Sequence, residues 1–298
     1  MTKNTWILVG VLAALVVAAY FVMQRPGESS SPETSGATLV EFDSAAVDKI
    51  EIHSPGAQSV IEREAGAWML TTPVHYRADD AVLATTLSSA RRIELKGLVS
   101  SNPQKRSVFQ VDSAGTLVKV YEHGAEKAVF WIGKPSPSYT ETYVRREGSN
   151  DVYLAAGAFS SMFSRRTNEW RDKTIFKTDQ DAISGVTLRF GDTTVALVRQ
   201  DSVWKIGDEI VRNDIVKSFT GALANFQADD FVDSTVSMMP PLTVQIELGG
   251  TQIRLYKMSE GDKYYVQSSA TPQLFQVFSW RATQVLKRTK DFLSETQS

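Results

Sequence analysis

The sequence predicts an α+β protein: an N-terminal transmembrane helix, then two tandem duplicated modules, each an antiparallel sheet with two helices. Three observations predict it. An uncharged apolar run fills residues 6–23, the phrase IEREAGAWML (61–70) returns as LVRQDSVWKI (197–206), and both copies mix strand-period with helix-period segments.

Taken in order, residues 1–5 form a short tail, expected on the cytoplasmic side. Residues 6–23, WILVGVLAALVVAAYFVM, are long enough at about 1.5 Å per residue to span roughly 27 Å, near the thickness of a bilayer core. The run exceeds a usual signal-peptide core and lacks a small-x-small cleavage site, so it is expected to stay as an anchor. The stretch QRPGESSSPETSGAT (24–38) is rich in Pro, Gly, Ser and Thr and reads as a flexible linker with a reach of about 20 Å.

Module 1 is expected over 39–176 and module 2 over 177–298. Asp43, Ile50, Ile52, Arg63 and Trp68 recur as Asp179, Val186, Leu188, Arg199 and Trp204 at a constant offset of 136 residues. In each copy two strands of period two lead to the tryptophan. Asp79 and Asp80 then suit the start of a helix over 81–95, and Asn213 and Asp214 one over 214–227. Strands follow at 116–123, 128–133, 142–147 and 151–155, and again at 243–248, 252–257, 263–267 and 274–278. A closing helix marked by Phe159, Phe163 and Trp170, or by Phe278, Ala282 and Val285, ends each copy. Short gaps between strands argue for antiparallel pairing. Trp68 and Trp204 read as packing anchors of the second strand.

Composition narrows the chemistry. Hydrophobic residues make up 42% and charged residues 22%, values that fit a globular body, and the formal net charge of -2 gives no reason to expect nucleic acid. Cysteine is absent, which excludes disulfides, thiolate nucleophiles, zinc–thiolate sites and a lipid-bearing cysteine. His53, His75 and His123 lack any metal-ligand spacing. Asp79–Asp80 and Asp229–Asp230 are adjacent pairs, better suited to caps and solvated charge than to catalysis across a substrate. GDTTVAL and GKPSPSY carry no phosphate-cradling pattern, and no GxSxG occurs. Arg145 and Arg146 share a strand and must face opposite ways. Arg165, Arg166 and Arg171 could together meet anionic headgroups, although a solvated basic surface is the simpler reading. No catalytic residue, metal ligand, cofactor-binding residue or cofactor is therefore expected.

Four stretches, EREAGAWMLTTP (62–73), SNPQKRSVFQVDS (101–113), IGKPSPSYTETYVRREGSNDVYL (132–154) and WRDKTIF (170–176), resemble a bacterial family known as domain of unknown function 4340. That family's pattern has a glycine where this chain has Gln110, so a different turn is expected there. The resemblance implies an envelope-facing protein, similar in kind to accessory subunits that accompany ABC-type export systems. The functional expectation is a non-enzymatic binding or scaffolding subunit, single-pass in the inner membrane with its bulk on the periplasmic or extracellular side. Its expected partners are the membrane and a membrane protein complex. The rival readings are a lipid or glycan binder and an envelope hydrolase.

Overall fold

The structure, a computed structural model, describes residues 36–201 and 203–293. The transmembrane helix expected at 6–23 lies outside those residues, as do the tail and most of the linker. Among the described residues no helix is long and apolar enough to cross a membrane. The expected fold class is therefore corrected. The described chain is predominantly antiparallel β, with short helices, and not an α+β fold carrying a transmembrane helix.

The chain divides into two compact units, one ending at Trp170 and the other beginning at Arg171. Unit 1 contains β1 (Thr38–Glu41), β2 (Val47–Ser54), β3 (Ala57–Glu64), β4 (Ala67–Thr72), β5 (Tyr76–Arg77), α1 (Asp80–Ala90), β6 (Arg92–Ser100), α2 (Arg106–Phe109), β7 (Thr116–Glu122), β8 (Ala125–Pro135), β9 (Glu141–Arg146), β10 (Val152–Ala156) and α3 (Phe159–Phe163). Its ten strands form one sheet ordered β1-β6-β10-β9-β8-β7-β2-β3-β4-β5.

Unit 2 contains β11 (Thr174–Lys177), β12 (Gly185–Phe190), β13 (Thr193–Gln200), β14 (Val203–Ile206), β15 (Glu209–Ile210), α4 (Asn213–Ala224), β16 (Asn225–Gln227), β17 (Asp230–Phe231), β18 (Leu242–Leu248), β19 (Thr251–Lys257), β20 (Lys263–Ser268), β21 (Thr271–Phe278), α5 (Ser279–Val285) and α6 (Thr289–Leu293). Its sheet runs β15-β14-β13-β12-β18-β19-β20-β21-β17, with β11 and β16 paired apart. This is the strand order of unit 1, except that the counterpart of β6 is broken into β16 and β17. The TIF strand, assigned from sequence to the end of module 1, begins unit 2 as β11.

Turn chemistry fixes the hairpins. Ala65–Gly66 (φ 47 and 88), His123–Gly124 (φ 52 and 78) and Gly249–Gly250 (φ 53 and 78) place two left-handed residues between strands, the turn whose twist matches that of a hairpin. Each strand then alternates: β18 reads exposed or half-buried at Leu242, Thr243, Gln245 and Glu247, and buried at Val244, Ile246 and Leu248. In unit 1 the buried row packs under α1 and α3, with Leu83, Leu87 and Phe163 meeting Ile50, Ile61, Val118 and Phe130. In unit 2, Phe219 of α4 meets Phe292 of α6 edge to face at 5.3 Å. The other face of each sheet is mostly polar, with an apolar corner at Val198, Val203 and Ile210 in unit 2.

The repeated phrase has a physical reason. Trp68 lies opposite Arg63 in the β3–β4 ladder, and Trp204 opposite Arg199 in β13–β14. Each guanidinium sits over its indole, at 4.5 and 5.9 Å from the centroid. Each tryptophan carbonyl accepts a bond from the residue just before the next helix's cap, Ala78 at 2.9 Å and Val211 at 3.0 Å. The two following residues, Asp79 and Arg212, in turn donate to Trp170 and Phe292 in the closing segments. One device thus ties strand, helix entry and closing segment together in both units.

Candidate functional site

The residues singled out from sequence do not converge. His53 sits on the outer face of β2, 3.3 Å from Glu51, and His75 pairs with Glu64 at 2.9 Å. His123 occupies the β7–β8 turn, where its left-handed backbone is one that histidine tolerates better than most residues. His53 lies opposite Leu117 at the other end of β7, so the two histidines stand about six residues, roughly 20 Å, apart along the strand. No group of three His, Asp or Glu side chains suited to a metal occurs among the described residues.

The carboxylate pairs are structural. Asp79 caps α1, accepting from Ala81 and Val82 at 3.0 Å each, while Asp80 pairs with Arg77 at 3.0 Å. Asp229 does not cap a helix; it accepts from the Phe278 amide at 2.8 Å and pairs with Arg281 at 2.9 Å. Asp230 opens β17.

The arginines separate likewise. Arg145 is buried and donates to the carbonyls of Val111 at 2.8 Å and Ser149 at 2.9 Å. Burial, and then the nearby Arg106 charge, lower its pKa from the usual arginine value. Arg146 turns to the Leu39 carbonyl of β1. Arg166 is exposed beside Glu169, and Arg165 lies over the Trp170 ring. Arg171 is buried in unit 2, bidentate to Asp233 at 2.8 and 2.9 Å, so it adds nothing to a basic surface.

Two polar constellations that the sequence reading missed lie on open sheet faces. In unit 1 Glu51 is a hub: Lys49 reaches it at 2.7 Å, His53 at 3.3 Å and Lys119 at 4.0 Å. Burial pushes the Glu51 carboxyl up. Hydrogen bonds from Lys49 and His53 and the Lys49 charge outweigh that, and its pKa falls below the ordinary glutamate value. In unit 2 a ladder crosses four strands. Arg189 donates to Glu247 at 3.1 Å, Gln245 donates to Glu247 at 2.7 Å, and Arg254 donates to Gln245 at 3.0 Å and to Gln252 at 3.1 Å. The next strand adds Gln267, which accepts from the Tyr256 hydroxyl at 3.0 Å. The signal for this face was present: in TVQIEL and TQIRLYK the outward positions of two consecutive strands are Gln, Glu, Gln and Arg.

A third constellation resembles a serine–lysine dyad but is set up otherwise. Lys257 Nζ lies 3.0 Å from Ser279 Oγ and 2.8 Å from Asp262, and Ser279 itself donates to Asp262. The hydrogen bond to Asp262 raises the Lys257 pKa, holding the amine protonated when a general base would need it neutral.

Two of the segments that carried the family resemblance, 101–113 and 132–154, meet in unit 1. The α2 segment presses on two glycines: a Cβ on Gly115 would lie 1.8 Å from the Gln110 carbonyl oxygen, and one on Gly133 2.2 Å from that of Phe109. Phe109 packs on Tyr143 at 4.8 Å, and Arg106 bonds Asn150. Gln110 closes α2 in the left-handed conformation (φ 56), with its N–H on the Arg106 and Ser107 carbonyls. The turn expected to differ is thus of the kind glycine favours.

The sequence profile described as "Domain of unknown function (DUF4340)" matches residues 68–246. The chain belongs to that family. The match runs from Trp68 in β4 to Ile246 in β18 and takes in Gly115, Gly133, Arg145, Arg171 and Trp204, while Arg254 and Gln267 lie beyond it. No curated protein and no solved structure matches the chain.

Proposed function

We propose that this member of the DUF4340 family is a non-enzymatic binding or scaffolding subunit of a bacterial envelope complex, holding a protein partner at one edge of its second sheet. The observation that carries the reading is an apolar corner on an open edge. Val198, Lys205 and Ile210 stand in register across β13, β14 and β15, and Val203 shares their face. Val198 is 45%, Val203 37% and Ile210 67% exposed, so three aliphatic side chains surround one lysine stem in water. The outermost strand has only two residues. Its outer side offers backbone groups to an added strand, with the aliphatic corner beside it as a socket. The choice of complex follows what the family resemblance implies, a likeness in kind to accessory subunits of ABC-type export systems.

A photo-crosslinking residue placed at Ile210, with Asp192 as the control position, tests the reading in cells. A discrete adduct to one envelope protein from position 210, absent from 192 and lost in Val198→Glu, is the expected result. Equal adducts at both positions, or none at 210 in a folded protein, would sink it.

A further inference from the structure

We infer that the open face of the second sheet, away from the apolar corner, carries a binding cleft for an acidic saccharide. Arg254 would take the sugar carboxylate, and the Gln252 and Gln267 amides its ring oxygens. The cleft has a volume of about 320 Å³, within the range of small-ligand sites, and its lining includes Gln252, Arg254, Gln267, Ser268, Ser269 and Gln273.

The hydrogen-bond ladder decides which polar atoms remain for a ligand. Arginine only donates, so Gln245 and Gln252 must present their oxygens to Arg254. Gln245 then spends its N–H on Glu247, whose carboxylate is also paired with Arg189. Gln267 gives its oxygen to Tyr256. Left over at the cleft are the donors Nη1 of Arg254 and Nε2 of Gln252 and Gln267, together with the hydroxyls of Ser268, Ser269 and Thr271, each of which already accepts a backbone N–H and keeps its O–H to donate. Arg254 is exposed, has no carboxylate partner among the described residues and holds only neutral acceptors, so no protein anion competes with a ligand for it. A donor-rich cleft with one positive charge favours an acceptor-rich anion.

The wall is built firmly. Gln273 accepts from the buried Arg171 at 3.0 Å and donates to the Leu274 carbonyl at 2.8 Å, while Arg171 stacks 3.7 Å from the Phe231 ring centroid. The spacing and flatness of the donors favour a sugar over other anions. Gln252 and Arg254 lie on β19 and Gln267 on β20, about 4.8 Å away, so the donors are spread on the scale of one pyranose ring. Tyr256 and Tyr265 stand opposite one another in the adjacent row, and the Tyr256 hydroxyl fixes the Gln267 amide at the cleft. A phosphate ligand would be served by several cations or clustered backbone N–H groups, and the cleft offers a single guanidinium.

The test is nitrogen–proton NMR on the full chain, titrated separately with trigalacturonate, maltotriose, inorganic phosphate and a glutamate-rich peptide. Trigalacturonate is expected to shift the side-chain amide signals of Gln252 and Gln267 saturably. Arg254→Gln should weaken it by about tenfold or more, the cost of a lost charge-assisted bond. Arg254→Lys, which keeps the charge but not the fork, should fall between the two, and Ile210→Glu should bind like the parent. Equal or tighter binding of maltotriose, phosphate or the peptide would overturn the inference. So would unmoved glutamine signals with trigalacturonate, or undiminished affinity in a folded Arg254→Gln protein.

Discussion

Replacing Trp68 by alanine should loosen unit 1 by about 4–5 kcal/mol. The indole is only 6% exposed and belongs to the cluster that includes Ile50, Ile61 and Leu70. Roughly 200 Å² of mostly apolar surface, at about 25 cal/mol/Å², gives about 5 kcal/mol as an upper value. Large-to-small changes of buried aromatics cost about 3–5 kcal/mol. The Arg63 guanidinium at 4.5 Å adds about 0.5–1 kcal/mol, which Arg63→Ala alone should remove. Trp204→Ala should cost somewhat less in unit 2, about 3–4 kcal/mol, because the indole is 8% exposed and Arg199 stands farther off at 5.9 Å. A chain of two units need not melt in one transition, so the assay is native-state hydrogen exchange resolved by peptide. Opening free energies of β2, β3 and β7 report the first substitution, and those of β12, β13 and β18 the second. If Trp68→Ala changed the protection of β2 and β3 by less than about 1 kcal/mol, the packing argument would fail and the indole would have to be kept for a ligand.

Two further outcomes follow from packing and charge. Gly133→Ala forces a Cβ to within 2.2 Å of the Phe109 carbonyl oxygen; it should cost about 1–3 kcal/mol and raise protease cleavage within residues 101–111, while Gly97→Ala, which meets nothing within 4 Å, should leave cleavage unchanged. Glu51 has a depressed folded pKa, so its stabilisation is fully present above its unfolded value near 4.5 and disappears as pH falls through the folded value. The melting-temperature advantage of the parent over Glu51→Gln should accordingly shrink as pH falls below about 5; an advantage that grew in that range would contradict the hub geometry.

Some of the fold was legible because period and turn chemistry agree. The helices expected at 81–95 and 214–227 stand at Asp80–Ala90 and Asn213–Ala224, behind polar starts. The β6 strand was hidden because Ile93 satisfies a helical spacing from Ala90 as well as strand alternation with Leu95, and only pairing with β10 decides between them. The two-residue strands β5 and β15 carry no periodicity at all. Asn102 before Pro103 is a readable helix start, and its side chain does accept from Gln104 at 2.9 Å, yet a turn so short lacks an apolar period to announce it. The amide ladder was half legible. Alternation puts Gln245 and Glu247 on one face and Gln252 and Arg254 on one face, but which of them touch depends on a register that only the folded sheet supplies.

The two units use the same devices to fold and different chemistry on their open faces. The tryptophan–arginine pair, the carbonyl bond to the helix entry and the tie to the closing segment recur with little change around two buried indoles, whose replacement is costly. Outward strand positions are under no such constraint, since polar side chains there contribute only tenths of a kcal/mol to the sheet. Unit 1 fills them with an ionic hub that closes on itself: Glu51 is surrounded by Lys49, His53 and Lys119. Unit 2 instead places Arg254 between two glutamines, where a carboxylate across the ladder would have balanced the charge. Folding does not ask for that arrangement, because a threonine or glutamine at 254 would serve the strand as well. On the reading proposed above, an acidic ligand completes that array.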